Sequence, residues 1–264
     1  MRKQRFSREV STPFRPEKGF RVVVLNSNVC YVVNWWLLNE DEDPYGQLAW
    51  LVETLLAAEE AGESVHILMH VPTGNSECLT VWSREFNRII ERFANTIVGH
   101  FNGHTHRDEL LVYYNSSDSS QAINVAWNGA SLTTFTQNNP SYKILQIDDE
   151  TFDLLDFEEW MFNLTLANSR TDRTVDWYKL YSFKDAYGVD SLEPSDIDNL
   201  LNRMTKDHDL LLKYYTYKYR DSPRVANNPC DANCQKNLLC DMTTTVRGKT
   251  EQCEKFSNLY DQNS

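Results

Sequence analysis

Three short apolar runs at residues 20–26, 65–70 and 96–101 are separated by two segments whose apolar side chains recur at helical spacing, and few architectures satisfy that alternation. Val22, Val23 and Val24 in the first run and Val65, Ile67 and Leu68 in the second suit strands covered on both faces. Between them the turn Asp43-Pro44-Tyr45-Gly46 precedes residues 47–60, where Leu48, Leu51, Val52, Leu55 and Leu56 recur with a helical period and Gly62 supplies a stop. Phe86, Ile89, Ile90 and Phe93 give 83–94 the same character. A strand, a helix and a second strand in that order need a crossover, which predicts an α/β layer with parallel pairing. Runs at 110–114, 122–127 and 142–147 follow with no helical segment between them and predict antiparallel members. From about residue 151 the character changes. Segments 160–168, 177–187 and 197–217 read as helices, the last opened by Ser195 or Asp196 as N-cap after Pro194.

A formal charge of −12 argues against a nucleic-acid groove, which needs clustered Lys and Arg. The longest apolar stretches are broken by charge short of the ~20 residues of a membrane-spanning helix. Residues 1–8 are basic but lead into Ser, Thr and Pro rather than an apolar core, so they do not read as a secretory signal. Two glycosylation sequons occur, at Asn115 and Asn163. The 6 cysteines are unevenly placed: Cys30 and Cys78 early, then Cys230, Cys234, Cys240 and Cys253 in a polar tail with little core-forming sequence. A zinc knuckle would want a close C-x-x-C pair or an interleaved His, and neither is present. Disulfides are the better reading, although six cysteines allow about 15 connectivities and spacing does not choose among them. They imply an oxidising compartment.

The chemistry concentrates in histidine. Five of the 6 histidines fall between His66 and His106. His66 lies within a strand and His100 before a turn, and both read as structural. His70, by contrast, stands just before Val71-Pro72-Thr73-Gly74, and His104 and His106 sit in Gly103-His104-Thr105-His106. Side chains at the ends of strands in open α/β sheets project into the crevice where ligands bind. Neutral imidazole suits zinc and similar metals, and Gly103 allows close backbone approach.

Gly-His-Thr-His preceded by a strand-end His-x-Pro-x-Gly resembles the calcineurin-type metallophosphoesterases. More narrowly, the chain from about Thr12 onward is similar to the acid sphingomyelinase family. The stretches that carry the likeness are Leu25-Asn26-Ser27-Asn28-Val29-Cys30, Asn34-Trp35-Trp36-Leu37-Leu38 and Asp43-Pro44-Tyr45-Gly46-Gln47-Leu48-Ala49-Trp50-Leu51-Val52. Gly103-His104-Thr105-His106-Arg107-Asp108-Glu109, Asn139-Pro140-Ser141-Tyr142 and the C-terminal cysteine spacing continue it.

The resemblance implies a phosphoric diester hydrolase that cleaves sphingomyelin to ceramide and phosphocholine at a centre of two zinc ions. It implies that His70 and His104 ligate one zinc and His106 the other, and that Cys30 pairs with Cys78, Cys230 with Cys234 and Cys240 with Cys253. The expected fold is the C-terminal part of a metallophosphoesterase β-sandwich flanked by helices, followed by a disulfide-stapled helical subdomain. Residues 1–19 would be a non-homologous or poorly ordered segment, 20–150 the C-terminal half of the metallophosphoesterase domain and 151–264 the helical, cysteine-containing part. A lysosomal or extracellular location, a membrane lipid surface as partner and glycosylation at Asn115 and Asn163 go with the likeness.

Neither the D-x-H nor the G-N-H motif of the family occurs in this sequence, and its saposin-like module and signal peptide have no counterpart. The expectation is therefore a fragment that lacks the N-terminal metal ligands and is catalytically incomplete alone, with no proton donor assigned. Trp35, Trp36, Trp127 and Tyr142 are candidates for an apolar or choline-facing wall, and Asn128 and Asn139 for phosphate contacts. The rival functions are a related phosphodiesterase acting on nucleotides and a non-catalytic secreted interaction protein.

Overall fold

Val22 and Val23 form the interior of a strand, β2 (Phe20–Val24), and the helical segments that follow carry the chain back to lay further strands beside it. The computed structural model describes residues 12–38, 43–74, 76–135 and 137–263. β3 (Ser64–Leu68), β4 (Ile97–Asn102) and β6 (Ala122–Asn128) continue from β2 in parallel. β1 (Thr12–Glu17) closes one edge antiparallel to β2, and β5 (Glu109–Tyr114) closes the other antiparallel to β6. The order is β1-β2-β3-β4-β6-β5.

Helix α1 (Gln47–Ala61) begins where the Asp43 carboxylate accepts the Leu48 and Ala49 N–H groups, and it ends where Gly62, at φ +63°, donates to Ala58 O. Leu48, Leu51, Leu55 and Ala58 bury one side of it. Helix α2 (Thr80–Arg92) buries Trp82, Phe86, Ile89 and Ile90. Together these pack with Val23, Val65, Ile67 and Ile97 into one core.

A second core covers Leu110, Val112, Val125 and Trp127 of β5 and β6. Its opposing layer is an antiparallel sheet of β7 (Ser141–Ile147), β8 (Leu154–Met161) and β9 (Tyr178–Ser182). Helices α3 (Leu164–Ser169), α4 (Phe183–Tyr187), α5 (Pro194–Met204), α6 (His208–Lys218), α7 (Pro223–Asn227), α8 (Ala232–Thr243) and α9 (Glu251–Gln262) complete the chain. Of these, α4, α5, α6, α8 and α9 contribute buried side chains to the second core.

The mixed α/β architecture and the disulfide-stapled helical tail agree with the reading of the sequence, and several segments do not. In 160–168, Trp160 and Met161 end β8. The helix starts only after Asn163, whose side chain accepts the Leu166 N–H. Segment 177–187 splits into β9 and α4, because pairing with β8 overrides local helix preference. The long helix at 197–217 breaks in two, with Asp207 capping the second part through Leu210 N–H. The division at residue 150 falls in the turn of the β7–β8 hairpin, where Asp148 accepts from Glu150 and Thr151. Of the N-terminal segment 1–19, residues 1–11 lie outside the described residues, and Thr12–Glu17 form an ordered edge strand.

Three disulfides are formed: Cys30–Cys78, Cys230–Cys234 and Cys240–Cys253, with Cα separations of 4.8, 5.1 and 4.2 Å. The last ties α9 to α8, whose end docks on the loop after His70. A Cβ at Gly74 would stand 1.7 Å from the Thr244 carbonyl oxygen. Asn87 reaches the same docked segment, donating to Thr245 O and accepting from Thr245 Oγ1.

Gly74→Ala must displace backbone, and it is expected to cost about 1–3 kcal/mol or more, read as a lowered denaturation midpoint. Replacing both Cys240 and Cys253 by Ser should cost about 3 kcal/mol by loop closure. Its hydrogen-exchange signature is loss of protection in α9 around Phe256 and Tyr260.

Candidate metal-binding histidine site

The parallel strands β2, β3, β4 and β6 run in one direction, so their C-terminal ends form a common rim, and the histidines emerge there. His70 follows β3. Its backbone N–H and that of Val71 donate to Ser27 Oγ at 3.2 and 2.8 Å, which ties the end of β3 to the segment after β2. Gly103 N–H donates to His70 O at 2.9 Å and Gly129 N–H to Asn102 O at 2.8 Å, extending the parallel ladder past the strands. A Cβ on Gly103 would lie 3.3 Å from His70 Nδ1, so glycine leaves room for that ring.

His104 occupies the centre of the group. Its Nδ1 stands 3.4 Å from His70 Nε2, and its Nε2 donates to the Glu77 carboxylate. Tyr31 packs edge-on against the His104 ring at 5.6 Å. The Cys30–Cys78 bridge holds Tyr31 and Glu77 together, with Val32 N–H donating to Glu77 O and Leu79 N–H to Cys30 O. Partial burial holds the His70 imidazole below its usual pKa, and the nearby His104 and His106 add to the shift. His106 packs edge-on to Phe135 at 6.0 Å.

Two residues of this turn take left-handed backbone angles, His104 at φ +75° and His106 at φ +59°. Thr105 Oγ1 donates to Glu109 at 2.6 Å and accepts from Asn128 Nδ2 at 2.8 Å. Burial raises the Glu109 carboxyl, but Lys218 beside it, with Thr105 and Arg107, holds it below the ordinary value.

The structure thus brings His70 and His104 into contact, with His106 on the same turn and near enough to act on His70 electrostatically. Among the described residues no three His, Cys, Asp or Glu side chains converge as a ready metal cluster. Two facing imidazoles at the rim are donors of the kind zinc takes. They fit a share of a zinc site rather than the whole of a binuclear one.

Other candidates resolve differently. Trp127 is core, packed on Phe157 and Phe183. Tyr142 rests on Trp177. Trp35 and Trp36 are 76% and 83% exposed, on the segment that also carries Tyr31. Asn128 ends β6 and donates to Thr105 and Arg107, and Asn139 is buried against Arg220 and Leu164, so both amides hold structure. Glu77 has no distinguishing local pattern and reaches His104 because the Cys30–Cys78 bridge seats the residue beside it. Lys218 and Arg220 carried no local signal. Asn115 lies at the turn after β5, and Asn163 is exposed at the N-cap of α3.

The sequence profile of the acid sphingomyelin phosphodiesterase C-terminal region matches residues 118–257. Sphingomyelin phosphodiesterase of Bos taurus is 39% identical over 229 residues, which cover 85% of this chain and 36% of that protein. Sphingomyelin phosphodiesterase 1 of Caenorhabditis elegans is 34% identical over 90% of this chain and 42% of its own length. The Rattus norvegicus cyclic GMP-AMP phosphodiesterase SMPDL3A is 30% identical over 89% of this chain and 54% of its own. The chain therefore spans from about a third to about half of the length of these relatives.

His66 and His100 are structural, as read from the sequence. His66 Nε2 bonds to Phe152 O at 2.7 Å, and His100 is fully buried between Phe86 and Tyr113. Burial pushes His100 down to about 4, against the opposing Asn124 and Asn102 amides. The unfolded chain takes up this proton near pH 6.5 and the native state only near 4, so stability is fully present above 6.5 and falls as pH drops through that window. The loss should reach about 3 kcal/mol, and a His100→Gln variant should show a flatter dependence of unfolding free energy on pH. An equal slope in the variant would remove His100 as the cause.

Proposed function

Since the chain belongs to the acid sphingomyelin phosphodiesterase family, we propose that it supplies the histidine side of a zinc-dependent phosphodiesterase centre that cleaves sphingomyelin to ceramide and phosphocholine. The observation that carries this reading is the pair His70 and His104, nitrogen to nitrogen at 3.4 Å, on the rim where parallel strands end. His70, His104 and His106 would hold the metal. When bound there, zinc supplies Lewis-acid polarisation of a phosphoryl oxygen.

The remaining work belongs to the protein. Glu77 sets the tautomer of His104 by accepting its Nε2 proton, and the hydrogen bonds to Ser27 fix the backbone that carries His70. Trp35 and Trp36 offer exposed aromatic faces to an apolar chain or to a quaternary ammonium group. The carboxylate ligands that the resemblance calls for have no counterpart in this sequence, so the chain alone should hold zinc weakly and not turn over substrate.

Three disulfides suit an oxidising compartment, and we place the whole protein in the lysosome or outside the cell, glycosylated at Asn115 and Asn163. No helix among the described residues is long and apolar enough to cross a membrane, so contact with lipid would be made from the surface. A nucleotide phosphodiester is the second substrate class, favoured by the likeness to SMPDL3A proteins.

Joined to sequence that carries the D-x-H and G-N-H motifs, the protein should bind about two zinc ions and release phosphocholine from sphingomyelin. His104→Ala and His106→Ala should each lower turnover by at least about a hundredfold, since a metal ligand's loss exceeds the 10–100-fold range of its supporting partners. Full activity in either variant would refute the ligand assignment. Faster hydrolysis of a cyclic dinucleotide than of sphingomyelin would transfer the reading to the second class.

A further inference from the structure

The histidine turn is held from behind by a part of the chain more than a hundred residues away. Left-handed angles at His104 and His106 are costly for side chains other than glycine, and they persist only where surrounding contacts over-determine them. The segment that supplies those contacts follows α6 and is itself strained, with Arg220 at φ +50° and Asp221 at φ +45°.

Arg220 is fully buried, and its guanidinium spans two carbonyls. Nη1 donates to His106 O at 2.9 Å and Nε to Asn139 O at 2.8 Å. Asn139 returns the contact, its Nδ2 donating to Arg220 O at 3.0 Å. Two residues earlier, Lys218 O accepts Asp108 N–H at 3.1 Å, while its Nζ pairs with Glu109 at 2.8 Å. Glu109 in turn accepts from Thr105 Oγ1, inside the turn.

We infer that Arg220 is a positioning residue for the His104–His106 turn, with Lys218 completing the grip through Glu109 and Thr105. The helical part of the chain would then set the direction of the histidines without touching metal or substrate. This rests on the functional reading above only for its purpose, not for its geometry. A fork with two donors in fixed relation is needed to hold both carbonyls, which a lysine ammonium cannot reproduce.

Arg220→Lys keeps the charge and removes the fork. Imidazole carbon–proton NMR spectra and backbone amide exchange, recorded on the 264-residue chain, separate positioning from plain stability. In Arg220→Lys, the His104 and His106 resonances should move and amides 104–108 should exchange at least tenfold faster. The resonances of His66 and His208, away from the turn, should stay in place. Lys218→Arg should show the same pattern more weakly, and it carries the test if Arg220→Lys does not fold. Unmoved His104 and His106 signals with unchanged exchange, in whichever variant folds, overturn the inference. Neither readout needs metal or substrate. An inactive whole protein whose turn is loosened by Arg220→Lys refutes the functional reading alone, and an active one whose turn does not respond refutes the positioning role alone.

Discussion

Lys218 and Arg220 bring two positive charges into the protein at the end of α6, where each would be costly unless neutralised nearby. What neutralises Lys218 is Glu109 together with Asp241, and Glu109 opens the strand that follows the histidine turn. Arg220 faces Asp108, Glu109 and the fully buried Glu159. Asp108 also accepts from Lys143 of β7 and from the Tyr181 hydroxyl of β9. The two sheets, the helical tail and the histidine turn therefore meet at one set of charges. Removing one partner there would leave another charge buried and uncompensated. That coupling explains how a half-buried turn with two strained residues keeps its shape.

The other side of the site depends on covalent and steric contacts rather than charge. Cys30–Cys78 joins the segment after β2 to the segment after His70 and carries Tyr31 and Glu77 to the His104 ring. Farther along, Gly74 lies against the end of α8, and Cys240–Cys253 braces α8 against α9. One histidine loop is thus held by the tail through shape and the other through hydrogen bonds. Both contacts come from residues beyond 200 in a chain whose histidine chemistry lies before residue 107.

Acidity bears on this arrangement through residues outside the metal group. Burial, reinforced by Asp108 and opposed by Lys143, raises the Glu159 carboxyl above its ordinary value, so it favours the native state more as pH falls. Buried His100 acts in the opposite sense, favouring the native state less as pH falls toward 4.

The sequence by itself determined the strand–helix alternation of the first hundred residues, the positions of the histidines at strand ends and the α/β class. Those features are written in local patterns: β-branched runs, helical spacing of leucines in α1, and turns marked by Gly62 and Gly103. The disulfide partners came from likeness to a family rather than from spacing. Beyond residue 150 local pattern failed, because Trp160 and Tyr178–Ser182 become strand only by pairing with neighbours and Asp207 interrupts a continuous helical pattern. Tertiary structure alone decided that His104 faces His70 and Glu77 while His106 turns toward Phe135. It alone made Arg220 and Lys218 part of the site, since contacts across more than a hundred residues leave no periodic or compositional trace in the segments they join.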